Sequence, residues 1–387
     1  METLNDLLAA PSALSIGPRL AATAGLLLGC ISACGSPAGH GTDVDLADAD
    51  GICTSAELAE LERQLADALD AAAVDTTITT NPDLTLLLEA DDGRRFTHSH
   101  GASTPTTSYE SASTSKLVSA VVILDLVDEG VLSLESTAHD LIPFWTAETA
   151  VTLRDLLSFR SGFNDDPPCI NRPAADFEGC VAVMYDDNVG AGIASGTQFY
   201  YSSTHLQIAG LMAMKATGKT WSEIFDAWKA KTGLFPTGVY DLPSMTNPRL
   251  AGGMHWTGDE YLALLRALYK GTVLTTALRG ELLANQRGSA TVASSPVVAA
   301  VDEDWAYGLG NWLECPTARG AGTFDCGAGH RNSSPGAYGA YPFLDFDHHY
   351  VGVLARQGTL GTFRDGLAIF RAVQDLASRW ADNRCRR

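Results

Sequence analysis

Lysine is scarce in this chain: six in 387 residues, at positions 116, 215, 219, 229, 231 and 270. Lys plus Arg reaches 26 against 46 Asp plus Glu, a formal net charge of −20. That balance argues against nucleic acid as a partner, because phosphates call for a basic face. Charged residues of all kinds make up only 19%, and 45% are hydrophobic, which is not the composition of a disordered chain. Past the N-terminal region no apolar run approaches the roughly 20 residues that cross a bilayer. No two cysteines have C-x-x-C spacing, so a structural zinc site is not expected.

The cysteines that are present suggest a compartment. Arg19 precedes the apolar run Leu20–Gly29, too short for a permanent span, and Ile31-Ser32-Ala33-Cys34-Gly35-Ser36 follows. This reads as an export signal over residues 1–34 that ends like a bacterial lipobox, with Cys34 as the lipidated residue and Cys30 as a second candidate. Membrane contact would then run only through the lipid anchor. Residues 35–53 read as a tether. The other six cysteines are an even number in an exported chain, which favours disulfides. We expect pairs 53–385, 169–180 and 315–326.

Thr54 and Glu57 form a capping box for a helix to about Ala72. Leu84–Glu89 and Arg95–His100, joined through Asp91-Asp92-Gly93, read as a β-hairpin. His98 and His100 share one strand face but lack a third ligand, so they read as surface histidines. Thr152 caps a short helix to Phe159. A long loop from Asn164 to Thr197 follows, of the kind that lines a site. Further helices are expected over His205–Ala216 and behind the boxes Thr220/Glu223 and Thr257/Glu260. From Trp305 to Leu313, Gly339 to Asp345 and Tyr350 to Ala355 the pattern is strand-like, and Gly361–Arg379 is an amphipathic helix. Strands at both ends with helices between give an α/β (α+β) domain from residues 54–110 plus 290–387, and a mostly helical insert over 111–289.

One stretch carries chemistry. Ser113-x-x-Lys116 opens a helix that is almost wholly apolar from Val118 to Val127 and must therefore be buried. One turn apart, the two side chains share a face. The helix start offers unpaired N–H groups and a partial positive charge to an alkoxide or oxyanion. A lysine whose pKa is lowered by burial can take the serine proton.

Other motifs follow in order: Val127-x-Glu129-Gly130-x-Leu132-Ser133-Leu134, Leu153-x-x-Leu156-Leu157-x-x-x-Ser161-Gly162, Phe199-x-Tyr201-Ser202, Pro248-x-Leu250-Ala251-Gly252-Gly253 and Tyr307-Gly308-Leu309-Gly310. In this set the chain resembles the serine β-lactamase and penicillin-binding-protein superfamily, of which Ser-x-x-Lys is a hallmark. Its class C-like branch, with family VIII esterases and D-aminopeptidases, is the nearest likeness, over roughly residues 54–380. The resemblance implies an antiparallel sheet flanked by N- and C-terminal helices, with an all-helical insert. It implies Ser113 as nucleophile, Lys116 as its proton partner, Tyr201 as the usual general base, and no metal or organic cofactor.

Two departures concern substrate binding. Ser203 stands where the family's Tyr-x-Asn has asparagine. The third motif, normally Lys-Thr-Gly or His-x-Gly, has His330-Arg331-Asn332-Ser333-Ser334-Pro335-Gly336 as its best match. His330 or Arg331 would hold the cationic position, and Ser333 or Ser334 would supply the second oxyanion N–H. The parts that grip an amide and a carboxylate are thus altered beside an intact Ser/Lys/Tyr trio. The expectation is an exported serine hydrolase acting on a β-lactam, a carboxylic ester or a D-amino-acid peptide. The alternative is a catalytically idle binding or scaffold protein on the same fold.

Overall fold

A computed structural model describes residues 52–146, 151–314 and 331–385. Cys30, Cys34, Cys315, Cys326 and His330 lie outside the described residues, as do the signal and most of the tether.

Seven strands form an antiparallel sheet: β1 (Leu84–Ala90), β2 (Arg95–His100), β8 (Ala306–Tyr307), β9 (Trp312–Glu314), β10 (Arg331–Ser333), β11 (Tyr341–Asp345) and β12 (Tyr350–Ala355), in the order β2-β1-β12-β11-β10-β9-β8. The hairpin register pairs Glu89 with Arg95 around the expected turn. Every residue of β1 is buried, as a strand covered on both faces must be. Neighbours along it point to opposite sides. Leu87 lies under Gly258, at the start of α8 (Gly258–Lys270). Phe96, which pairs with Leu88, meets Trp380 of α11 (Phe363–Ala381). Helix α1 (Ser55–Val74), begun by both bonds of the Thr54/Glu57 box, packs against α11. The Cys53–Cys385 disulfide joins the chain just before α1 to the chain just after α11.

The rest is largely helical. Helix α2 (Ser115–Asp128) buries every residue from Ser115 to Leu126 and packs against α6 (Thr204–Thr217), α7 (Trp221–Thr232) and α9 (Thr276–Leu283). The Thr220 and Thr257 boxes both form. Short helices α3 (Ala138–Leu141), α4 (Leu153–Leu157) and α10 (Pro296–Val301) link the larger ones. The expected loop 164–197 instead contains helix α5 (Phe177–Asn188), capped by the Asp176 side chain and tied by Cys169–Cys180. Its apolar residues, Phe177, Val181, Met184 and Tyr185, keep helical spacing, but glycine and paired aspartates masked it.

Two small sheets set up the site. In one, β3 (Ser108–Glu110) and β5 (Val239–Tyr240) flank β6 (Met254–Thr257). In the other, β4 (Gln198–Tyr200) runs parallel to β7 (Thr291–Ser294). His98 Nε2 and His100 Nδ1 each lie 2.8 Å from Asp70 Oδ1 of α1, which is structural pairing. Among the described residues no acid/His/Cys group forms a metal site, and no helix is long and apolar enough to cross a membrane.

Candidate active site

Ser113 sits in a single 3-10 turn, Ala112–Thr114, between β3 and α2. Ala112 just before it has φ +41°, a left-handed conformation that costs energy for any residue with a Cβ. The neighbouring hydroxyls hold that turn. Met254 N–H donates to Ser111 Oγ at 3.0 Å, Thr114 Oγ1 to Ser111 O at 2.9 Å, and Ser115 Oγ to Ala112 O at 3.0 Å. Trp256 Nε1 and the Tyr261 hydroxyl then bind Thr114 at 2.8 and 2.7 Å. Ser111, Thr114 and Ser115 are fully buried, whereas Ser113 is only half-buried. The Ser/Thr-rich sequence is therefore a brace with one hydroxyl left accessible.

Lys116 Nζ lies 3.0 Å from Ser113 Oγ and 2.8 Å from the carbonyl oxygen of Ala251. That carbonyl belongs to the 248–253 motif, where a Cβ on Gly253 would stand 2.0 Å from Leu242 O. Burial, then the Arg249 guanidinium, brings the Lys116 pKa down to about 7, with Asp166 opposing. Near neutral pH about half the amines are uncharged and can accept the Ser113 proton.

Tyr201 completes the trio, with Lys116 Nζ 4.7 Å from its ring centroid. Trp312 stacks on the same ring at 5.1 Å and 21°. Burial raises the phenol well above its ordinary value, and hydrogen bonding with Ser113 and Trp312 opposes this only in part. The ammonium faces the ring, where it meets the π quadrupole, so it does little for a phenolate oxygen. Tyr201 is thus a neutral phenol at pH 7. His205 braces the segment: Ser161 Oγ lies 2.8 Å from its Nδ1, and its Nε2 lies 2.8 Å from Tyr200 O. Burial pushes this histidine down to about 4, so it stays neutral. The sequence reading quoted Ser161 within a motif but missed its link to His205.

Three of the third-motif candidates lie among the described residues: Arg331, Ser333 and Ser334. Arg331 is committed elsewhere: Nη2 binds Asp345 at 2.7 Å, Nη1 binds Gln374 at 3.0 Å, and the guanidinium covers Phe343 and Phe370 at 5.0 and 4.9 Å. Ser333, two residues on and so on the same face, is buried towards Glu314. Neither is offered to substrate. Ser334 reaches the nucleophile turn, its Oγ donating to Ser113 O at 3.3 Å, but its N–H is spent on Pro342 O. The glycine that meets the turn is Gly336, where a Cβ would stand 2.7 Å from Ser111 O. The main-chain N–H groups of Ser113 and Ala337 donate to no acceptor among the described residues. Ala337 and Ser113 both line the cavity described below.

Ser203 starts α6, and its N–H donates to Asp166 at 2.9 Å, as does that of Thr204. Ser113 and Tyr201 open onto a cavity of about 160 Å³ walled by Pro296, Val297, Trp312, Phe363 and residues 335–337. Ser203 is not in its wall. The β4–β7 pairing brings Pro296 and Val297 there, with Tyr201 N–H donating to Ser294 O at 3.1 Å. Phe363 arrives because Gly361 N–H binds Ala337 O at 2.9 Å. Gly310 (φ +76°) lets the loop before Trp312 lie on α2, since a Cβ there would be 2.8 Å from Lys116 O.

Comparison with known proteins agrees with this architecture. Penicillin-binding protein 4 of Amycolatopsis lactamdurans is 30% identical over 151 residues, 37% of either chain, so the match spans little more than a third of that relative. Three solved structures share the fold. A β-lactamase-type protein from Bacteroides dorei DSM 17855 has TM-score 0.67 and 24% identity, over 80% of this chain and 97% of that one. EstCE1, a hydrolase with promiscuous acyltransferase activity, has TM-score 0.64 and 16% identity, over 82% and 98%. The D-amino acid amidase of Ochrobactrum anthropi SV3 has TM-score 0.63 and 17% identity, over 80% and 99%. The Beta-lactamase family model matches residues 74–375, which take in the Ser113 turn, Tyr201 and the third-motif strand; the chain belongs to the Beta-lactamase family.

Proposed function

We propose that this protein is an exported serine hydrolase that cleaves an ester or amide through an acyl-enzyme on Ser113. The observation that carries the reading is the 3.0 Å approach of Lys116 Nζ to Ser113 Oγ, with the amine brought to a pKa of about 7. Ser113 Oγ attacks the carbonyl carbon and passes its proton to Lys116. The N–H groups of Ser113 and Ala337 hold the oxyanion. Collapse breaks the bond to the leaving group, which takes the proton that Lys116 received from Ser113. Water, giving its proton to Lys116, then attacks the acyl carbon, and Ser113 Oγ departs with that proton from Lys116, which restores both groups.

The disulfides Cys53–Cys385 and Cys169–Cys180 support an oxidising compartment. Lipid attachment at Cys34 is the accompanying proposal, read out by mass spectrometry of the N-terminal peptide from a native host. Among the described residues no cationic or amide side chain lines the cavity, which favours ester chemistry over β-lactams and is also what an idle binding protein would have. Turnover decides between them. Ser113→Ala should abolish hydrolysis of p-nitrophenyl butyrate with the fold intact by circular dichroism. Undiminished hydrolysis in that variant would overturn the reading.

A further inference from the structure

Resting on the serine-hydrolase reading, we propose that the cavity beside Ser113 is the acyl site, and that its substrates carry an uncharged apolar acyl group of about six carbons or fewer. Apart from Ser113 and Tyr201, its walls are Pro296, Val297, Trp312, Phe363, Pro335, and the glycine and alanine that follow Pro335. Among the described residues no charged side chain contributes. The volume is about 160 Å³; an apolar cavity of about 150 Å³ holds one benzene. A carboxylate or ammonium pushed into it would lose its water and gain no counter-charge.

The charged groups are outside this wall. Arg249 and Asp166 act electrostatically on Lys116, yet none of the three lines the cavity. Lys116 must exchange protons with the departing alcohol and the incoming water, so those two belong on its side of Ser113. The substituent on the scissile carbon is what remains, and it takes the apolar side.

The walls are also built to keep their spacing. Trp312 is 2% exposed and packed against Tyr201, Tyr307, Phe199 and Trp305. Val297 is fully buried, and Phe363 is set edge-on to Trp305. These side chains stand close to the acyl chain and set how long it can be.

The test uses the purified protein with two ester series. One runs from acetyl to decanoyl on a constant p-nitrophenol; the other keeps acetyl and varies the alcohol. We expect kcat/KM to fall at least about tenfold between hexanoyl and octanoyl, and to vary less across the alcohols. Phe363→Ala should move that break to longer acyl chains, and Val297→Phe to shorter ones. A break that stays put in both variants, or variants that change only the alcohol preference, would overturn the proposal. Fluorophosphonate titration counts competent sites in each variant. If neither variant titrates, wild-type rates on butanoyl and on the equally long but anionic succinyl half-ester decide: a large butanoyl preference supports the acyl site, and equal rates sink it. Ser113→Ala separates the two claims. If it stays active, the hydrolase reading falls; if it is dead while the break is unmoved, only the acyl-site assignment falls.

Discussion

Removing the positive charge of Arg249 should make the catalytic base harder to deprotonate. Lys116 sits at a pKa of about 7 instead of 10.5, first through burial and then through the Arg249 guanidinium. The displacement corresponds to about 5 kcal/mol in favour of the neutral amine. An ordinary lysine would be neutral in about one molecule in 3,000 at pH 7, whereas this one is neutral in about half. The gain in competent base is thus about a thousandfold. Because the neutral form is the active one, kcat/KM should rise about tenfold per pH unit below the pKa and level off above it. In Arg249→Gln the guanidinium that holds the pKa down is gone, so the inflection moves to higher pH and the rate at pH 6 falls. The plateau at high pH should change much less. The assay is kcat/KM for p-nitrophenyl butyrate between pH 5 and 9, followed at the isosbestic wavelength of the product. A wild-type profile flat across pH 7, or an Arg249→Gln inflection moved downward, would refute the reasoning.

Three further expectations can be checked with the same protein. Tyr201→Phe keeps the stack on Trp312 but removes the hydroxyl hydrogen-bonded to Ser113, so kcat should drop by about tenfold, the worth of one hydrogen bond, with little change in KM; steady-state kinetics decide. Gly336→Ala puts a methyl 2.7 Å from Ser111 O and must displace the nucleophile turn, so fluorophosphonate labelling should slow far more than the melting temperature falls. Replacing Cys53 and Cys385 by serine removes a crosslink over 332 residues. The chain-entropy model sets its worth at about 6 kcal/mol, so denaturant midpoints should fall while Ser113 chemistry persists.

Much of the architecture was legible because capping and punctuation are local. Thr54, Thr220 and Thr257 cap helices as their boxes implied, and Gly130 and Gly218 take the left-handed turns that end α2 and α6. The pairing of Cys53 with Cys385 and Cys169 with Cys180 likewise agrees with the expectation. Helix α5 was lost because Gly179 and Asp186-Asp187 outweighed its apolar spacing. The partners of Arg331 are not legible in its sequence neighbourhood. Its charge suggested substrate, but alternation along β10 turns it towards Asp345 and α11, where a buried carboxylate partners it. The cavity walls could not be read at all. Val297, Trp312 and Phe363 meet only because β7 pairs with β4 and Gly361 binds Ala337, contacts that leave no spacing in the chain.

The most direct test is mass spectrometry after brief treatment with a fluorophosphonate at pH 8. The account predicts a single adduct, mapped to the peptide containing Ser113, absent in Ser113→Ala and formed much more slowly in Lys116→Met. No adduct, an adduct on another residue, or an undiminished rate in Lys116→Met would contradict it.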